Sequence, residues 1–314
     1  MVRRFWKTAV FTAAAAVALV ALVGAGRAAA ARVSDPRIVA HFDLGARQTP
    51  EDFAPAPDGA VDVSFAYADE VARVSRDGHT QILGQLPRTG DCPVLKAPVS
   101  SGIARARNGA IYVSDCTGNA DTGVWRLRPG SAPVQITRLP AGSFPNNMAL
   151  DDQAGELYVA DSLLGVVWRV PAAGGAPVIW ARGPALQKVS LFGANGIRLH
   201  DHAVWVSNTD QGTIVEIPIR ANGSAGPVKP VVTGLTGGVD GFTVLRDDSI
   251  LAALDLASQV VLITPGGQPR VVLTAADGLS NPTEVAAAGR AIYVTSGAYF
   301  TRNDPNLLVA RLDR

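Results

Sequence analysis

Six oxygen-bearing side chains recur at one place in a repeating pattern: Glu51, Ser101, Asn146, Asn195, Asp240 and Thr283. Each stands two residues before the apolar start of a short strand, and none is basic or apolar. Any one of them alone is ordinary turn chemistry, since Asn-Gly and Asp-Gly turn chains everywhere. Together they put two carboxylates and two amides in a single register. Hard divalent cations, Ca²⁺ above all, take about 6–8 oxygen ligands of these kinds. With no His or Cys in the column, Zn²⁺ is disfavoured. Glu51, Asn146, Asn195 and Asp240 are therefore the expected metal ligands, and Ser101 and Thr283 the neutral members beside a substrate.

The elements that must carry this column are short strands. A phrase of a polar residue, a strand, a turn rich in Asp, Asn or Gly, and a second strand of the type AIYVSD occurs six times: residues 50–65, 101–115, 145–161, 194–208, 239–255 and 282–296. Third and fourth strands such as GVWRLRPG and PVQITRLP follow most copies. The column residues are spaced 43 to 50 apart. Four strands at that period are the signature of a propeller blade. The expected fold is all-β, a six-bladed β-propeller with four antiparallel strands per blade. The last copy has three strands, so IVAHFDL (38–44) is expected to supply the fourth and close the ring.

In such a ring the starts of the first strands share one face with the ends of the second strands. Those ends offer Asp115, Asp161, Asn208 and Asp255. Asp115 neighbours Ser101, which makes it, with Asp240, a candidate to take a proton from water. Phe144, Phe192, Tyr299 and Phe300 fall in or near loops of the same face and could wall an apolar pocket. Cys92, in the loop entering blade 2, and Cys116, after that blade's second strand, also meet there, so a disulfide is expected. All four histidines, at 41, 79, 200 and 202, fall on the outer strand or the opposite face.

Composition narrows the classes. The chain has 314 residues with 28 basic and 27 acidic side chains and no basic block, which argues against a nucleic-acid partner. Residues 1–32 read as a signal peptide: Arg3, Arg4 and Lys7, an apolar run from Thr8 to Gly26, then RAAAAR. An uncleaved anchor is the alternative. Cleavage leaves residues 33–314 as one domain without a stable membrane span, secreted or periplasmic, where two cysteines would oxidise.

PED, PNN, ANG and VDG in the column give the whole mature chain a resemblance to the gluconolactonase and senescence-marker-protein (regucalcin) family, and more distantly to the paraoxonases. The resemblance implies an axial catalytic Ca²⁺ and hydrolysis of lactones or related esters, the metal polarising the carbonyl. It implies ligand roles for Glu51, Asn146, Asn195 and Asp240, with Asp240 also a general base. Ser101 stands where paraoxonases carry a histidine. Two other readings stay open: non-hydrolytic biosynthetic chemistry on a scaffold resembling strictosidine synthase, and a ligand-binding propeller with a structural ion.

Overall fold

Runs such as IYVSDC and ELYVAD, rich in β-branched and aromatic residues and bounded by Asp, Asn and Gly, can hardly form anything but strands. In the computed structural model, which describes residues 32–313, they form twenty-four of them. Strand β1 (Arg32–His41) comes first. Blade 1 follows as β2 (Pro50–Pro55), β3 (Val61–Phe65), β4 (Glu70–Val74) and β5 (Thr80–Gln85). Blade 2 is β6 (Val99–Arg105), β7 (Ile111–Cys116), β8 (Gly123–Leu127) and β9 (Val134–Arg138). Blade 3 is β10 (Pro145–Asp151), β11 (Glu156–Asp161), β12 (Val166–Pro171) and β13 (Val178–Arg182). Blade 4 is β14 (Ala194–His200), β15 (Ala203–Asn208), β16 (Thr213–Pro218) and β17 (Lys229–Val232). Blade 5 is β18 (Val239–Val244), β19 (Ile250–Leu254), β20 (Gln259–Ile263) and β21 (Arg270–Leu273). Blade 6 is β22 (Pro282–Ala288), β23 (Ala291–Ser296) and β24 (Asn306–Asp313), completed by β1.

The fold is the expected six-bladed propeller, each blade a four-stranded antiparallel sheet. Its closing strand is β1, paired with β24 from Arg32↔Asp313 to His41↔Asn306. It starts earlier than the expected 38–44 and ends at His41, so Phe42 to Leu44 have left the sheet. The anticipated signal peptide falls, but for Arg32, on residues 1–31, outside those described. Among the described residues no helix is long and apolar enough to cross a membrane.

The core lies between blades. Tyr158, Val167 and Trp180 of blade 3 pack on Ile197, Val204 and Val215 of blade 4. Leu251 and Leu262 of blade 5 pack in the same way on Val285, Val294 and Leu308 of blade 6. Blades 6 and 1 meet through Leu307, Phe53, Val63 and Phe65, so the seam is packed like the other junctions. Each blade buries both faces against neighbours, and the inner strands are drawn tightly around one axis.

Candidate metal centre

A feature of the inner strands decides where their side chains go. In every blade the pairing of first and second strands slips near its start, after the first residue pair or, in blade 2, the second: between Pro50 and Phe53, Ser100 and Ile103, Pro145 and Met148, Ala194 and Ile197, Val239 and Phe242, and Pro282 and Glu284. These are β-bulges, in which two residues stand opposite one. The column residues Glu51, Ser101, Asn146, Asn195, Asp240 and Thr283 all lie in them. A regular strand would send the column residue and its successor to opposite faces. The bulge lets Glu51 and Asp52 in blade 1, and Asn146 and Asn147 in blade 3, both face inward.

Serines of the second strands fasten the bulges. Gly102 N–H donates to Ser114 Oγ (2.8 Å) and Gly196 N–H to Ser207 Oγ (2.7 Å). The same hydroxyls donate across to the next blade, Ser114 to the Asn146 carbonyl and Ser207 to the Asp240 carbonyl. Ser162 reaches the Ala194 carbonyl (2.7 Å), and Thr283 Oγ1 reaches the Pro50 carbonyl (3.2 Å). A belt of hydroxyl-to-carbonyl bonds thus ties blade to blade at the channel mouth.

Two layers of polar side chains result. In the upper layer Glu51, Asn146, Asn195 and Asp240 border one cavity of about 460 Å³, together with Phe144, Phe192 and Tyr299. Tyr299 donates its hydroxyl to Glu51. Asn146 Nδ2 donates to Ser162 Oγ (3.1 Å) and Asn195 Nδ2 to Thr209 Oγ1 (2.9 Å). Tethering the amide nitrogens leaves the oxygens as the free ends, and Asn195 Oδ1 is buried with no hydrogen-bond partner. Asp255, at the end of β19, borders the same cavity, and its Oδ1 is likewise buried and unpartnered.

The lower layer was not legible in the sequence. Asp52, Asn147 and Glu284, each one residue after a column position, are buried around Arg198. The guanidinium pairs with Glu284 and lies 3.8 Å from Asp52 Oδ1. Asn147 Nδ2 also donates to Glu284 (2.8 Å), and Asp52 Oδ2 accepts from Ile103 N–H (2.9 Å). The other three blades carry glycine at this position, Gly102, Gly196 and Gly241. A Cβ at Gly241 would overlap the Glu284 carboxylate, so the residue after Asp240 has room only for glycine. Gly241→Ala should destabilise the protein by about 1–3 kcal/mol, read as a lower midpoint in urea, because Glu284 is pinned by Arg198 and Asn147.

The charge balance of the two layers is unequal. Five carboxylates (Glu51, Asp52, Asp240, Asp255 and Glu284) face one guanidinium within the layers, while Arg302 stands exposed at the border of the cavity. Burial pushes Glu51 and Asp255 up to about 7. Asp240 is driven well above the carboxylate range, by burial first and by the charges of Glu51, Asp255 and Glu284 next. Such a site holds protons reluctantly released, or a cation in their place. Free carboxylate and amide oxygens, excess negative charge and no His or Cys in the set suit a hard divalent cation.

The other expected site residues sit elsewhere. Ser101 and Thr283 are buried in their bulges and do not border the cavity; the Thr283 hydroxyl is used by Pro50 and Thr295. Asp115 is buried in blade 2, accepts from Ser100 Oγ (3.2 Å) and does not reach the cavity. Asp161 is spent on the Phe144, Leu163 and Leu164 amides and the Trp168 indole. Asn208 caps a loop through the Ala185 and Gln187 carbonyls. Asp255 was therefore one of four equivalent strand ends in the sequence, and only the structure singles it out. The histidines are absent from the cavity border; His200 faces Asp248 (3.1 Å) and Asp201 (3.6 Å) in an exposed group at the far end of β14.

Cys92 and Cys116 are joined by a disulfide. Both are buried in a cluster with Val99 and Phe144, against which Leu95, Phe192 and Tyr299 pack. The bridge thus backs the aromatic side of the cavity. Replacing both cysteines by serine should cost about 3 kcal/mol, for a loop of this length. Differential scanning calorimetry would show it as a drop of roughly 6–12 °C in Tm.

No family model matches the chain, and no curated protein matches it in sequence. Solved structures match its fold. The PQQ-bound aldose sugar dehydrogenase of Streptomyces coelicolor superposes with a TM-score of 0.69 at 17% identity, over 90% of this chain and 98% of that one. A gluconolactonase of Xanthomonas campestris gives 0.63 at 16%, over 90% and 97%. Virginiamycin B lyase of Staphylococcus aureus gives 0.59 at 14%, over 90% and 99%. Its structural neighbours are thus mostly enzymes, gluconolactonases among them, and the shared property is the propeller.

Proposed function

We propose that the protein is an exported, calcium-dependent hydrolase of a lactone or related ester, with Glu51, Asn146, Asn195 and Asp240 as the metal ligands. The observation that carries this reading is the convergence of those four side chains on one cavity, with Asn195 Oδ1 buried and unpartnered among carboxylates. Bound there, Ca²⁺ supplies Lewis acidity toward a carbonyl oxygen. The chain's residues do the rest. Asn146 and Asn195 are oriented by their hydroxyl tethers, and Glu51 by Tyr299. Asp240, as a ligand, loses basicity beside a cation. Asp255 is the better base: it borders the cavity, has a free oxygen, and titrates near neutrality.

In this scheme Asp255 accepts a proton from water as the water oxygen bonds to the carbonyl carbon. The ring C–O bond then breaks, and the proton passes to the departing alkoxide, giving a hydroxy acid. Pyrroloquinoline quinone, the cofactor of the sugar dehydrogenase neighbour, carries three carboxyl groups and would meet Glu51, Asp240 and Asp255 there, so a cation suits the floor better. The disulfide suits an oxidising compartment, and we place the protein outside the cytoplasm, secreted or periplasmic.

The test is pH-stat turnover on sugar lactones, aliphatic lactones and aryl esters, with Ca²⁺ and then with chelator, in ¹⁸O-labelled water. Turnover that chelator abolishes and Ca²⁺ restores, with one labelled oxygen in the product, supports the reading. Product without the label points to elimination, and no turnover by folded, Ca²⁺-supplied protein counts against any hydrolase.

A further inference from the structure

The cavity's floor and its walls have different chemistry. Above the carboxylates rise Leu95, Val99, Phe144 and Phe192, and the mouth is set with Leu191, Leu256 and Phe300. Those last three are large apolar side chains held 53%, 62% and 66% exposed. They come from three separate loops, before β14, after β19 and after β23, and meet at one opening. Scattered surface leucines need no explanation, but apolar side chains from three loops around one cleft do.

Three polar groups of the same walls are already engaged, which leaves the Tyr67 hydroxyl and the exposed Arg302 guanidinium as the free ones. Thr209 Oγ1 accepts from Asn195 and donates to the Val239 carbonyl. Asp210 accepts from the Val189 and Ser190 amides, and the Tyr299 hydroxyl serves Glu51. A polyhydroxylated ring entering here would lose its water and find few free partners above the floor, a costly exchange. A hydrocarbon or aromatic body would lose nothing by the same move.

Building on the hydrolase reading above, we infer that the substrate is a lactone or ester whose carbonyl is carried on an apolar chain or ring, and not a sugar lactone. The carbonyl end meets the polar floor while the body lies along Phe144 and Phe192 and emerges between Leu256 and Phe300. The loops after β19 and β23 are then the specificity elements, and the floor can stay constant while they vary.

A homologous series of γ-lactones bearing side chains of zero to eight carbons, beside glucono-δ-lactone, tests this with Ca²⁺-loaded protein. The expected result is kcat/KM rising about fourfold per methylene until the chain outgrows the cavity, with the sugar lactone at least about tenfold below the best member. In Leu256→Ser/Phe300→Ser, both exposed positions, the ratio of long-chain to short-chain kcat/KM should fall about tenfold. A flat series, a preferred sugar lactone, or an unchanged ratio in the double variant overturns the inference. The matching lactams, whose amides resist turnover, are titrated in parallel by calorimetry. If no lactone is hydrolysed, the hydrolase reading fails by itself; lactam affinity that still climbs with chain length upholds the apolar site, and affinity that does not overturns it.

Discussion

Asp240→Asn is expected to lower lactone turnover by about 10²–10³-fold and calcium affinity by about 10–100-fold, while the protein stays folded. The exchange keeps the shape of the side chain and removes one charge from a group of five carboxylates and one guanidinium. It should also act on stability in opposite directions. Without metal, wild-type protein at pH 8 must hold either an extra proton or an extra charge at Asp240, and burial and four neighbouring carboxylates oppose the charge. Asparagine carries neither, so in chelator the variant should melt at or above the wild type. In saturating Ca²⁺ the order should reverse, because the wild type gains more from the ion. Melting curves in both conditions, beside the turnover assay, check the pair of effects. Turnover within tenfold of wild type, still dependent on Ca²⁺, would remove Asp240 from the site.

The metal-free protein should lose stability as pH rises, against the usual trend for acidic clusters. Glu51 and Asp255 titrate at about 7 in the folded state, against ordinary values of 4.5 and 3.8. Between those limits the folded protein binds more protons than the unfolded chain, so stability falls with pH. The stabilisation is fully present below about pH 4 and is lost as pH passes through 7. From pH 5.5 to 8.5 the chelated protein should lose on the order of 4 kcal/mol, or roughly 8–16 °C in Tm. Saturating Ca²⁺ should flatten the slope, since ions then replace protons among the carboxylates. Scanning fluorimetry over that range, with and without chelator, measures both. A chelated Tm that is flat or climbs over the range would contradict the burial argument for these two groups.

The repeat of strand pairs carried most of the architecture, because a blade's alternation and turns are local. The column of six oxygen-bearing residues was legible for the same reason, and four of its members do border one cavity. What lay beyond reach was the bulge. Strand alternation puts Glu51 and Asp52 on opposite faces, and nothing in PED announces that the pairing slips there. The lower layer of Asp52, Asn147 and Glu284 stayed hidden for that reason. Arg198 stayed hidden with it, since a basic residue mid-strand reads as solvent-facing until carboxylates from blades 1 and 6 are seen beside it. Asp255 differed from Asp115 and Asp161 only in what surrounds it, which chain order does not state. One signal was present and unused: the serine in VDVSF, IYVSD and VWVSN, which fastens the bulges and links the blades.

The pairing of β1 with β24 has a use outside the living chain. Arg32 and Asp313 are partners in one sheet, so a short peptide could join them. New ends could then be opened at the Arg76–His79 turn between β4 and β5, on the rim and away from every inner strand. Such a circular permutant would keep all six inner strands and the whole cavity in one uninterrupted covalent order. The molecule would then be a ring with a movable cut, and a reporter or an immobilisation tag could be fused at the rim while the mouth stays open to solvent.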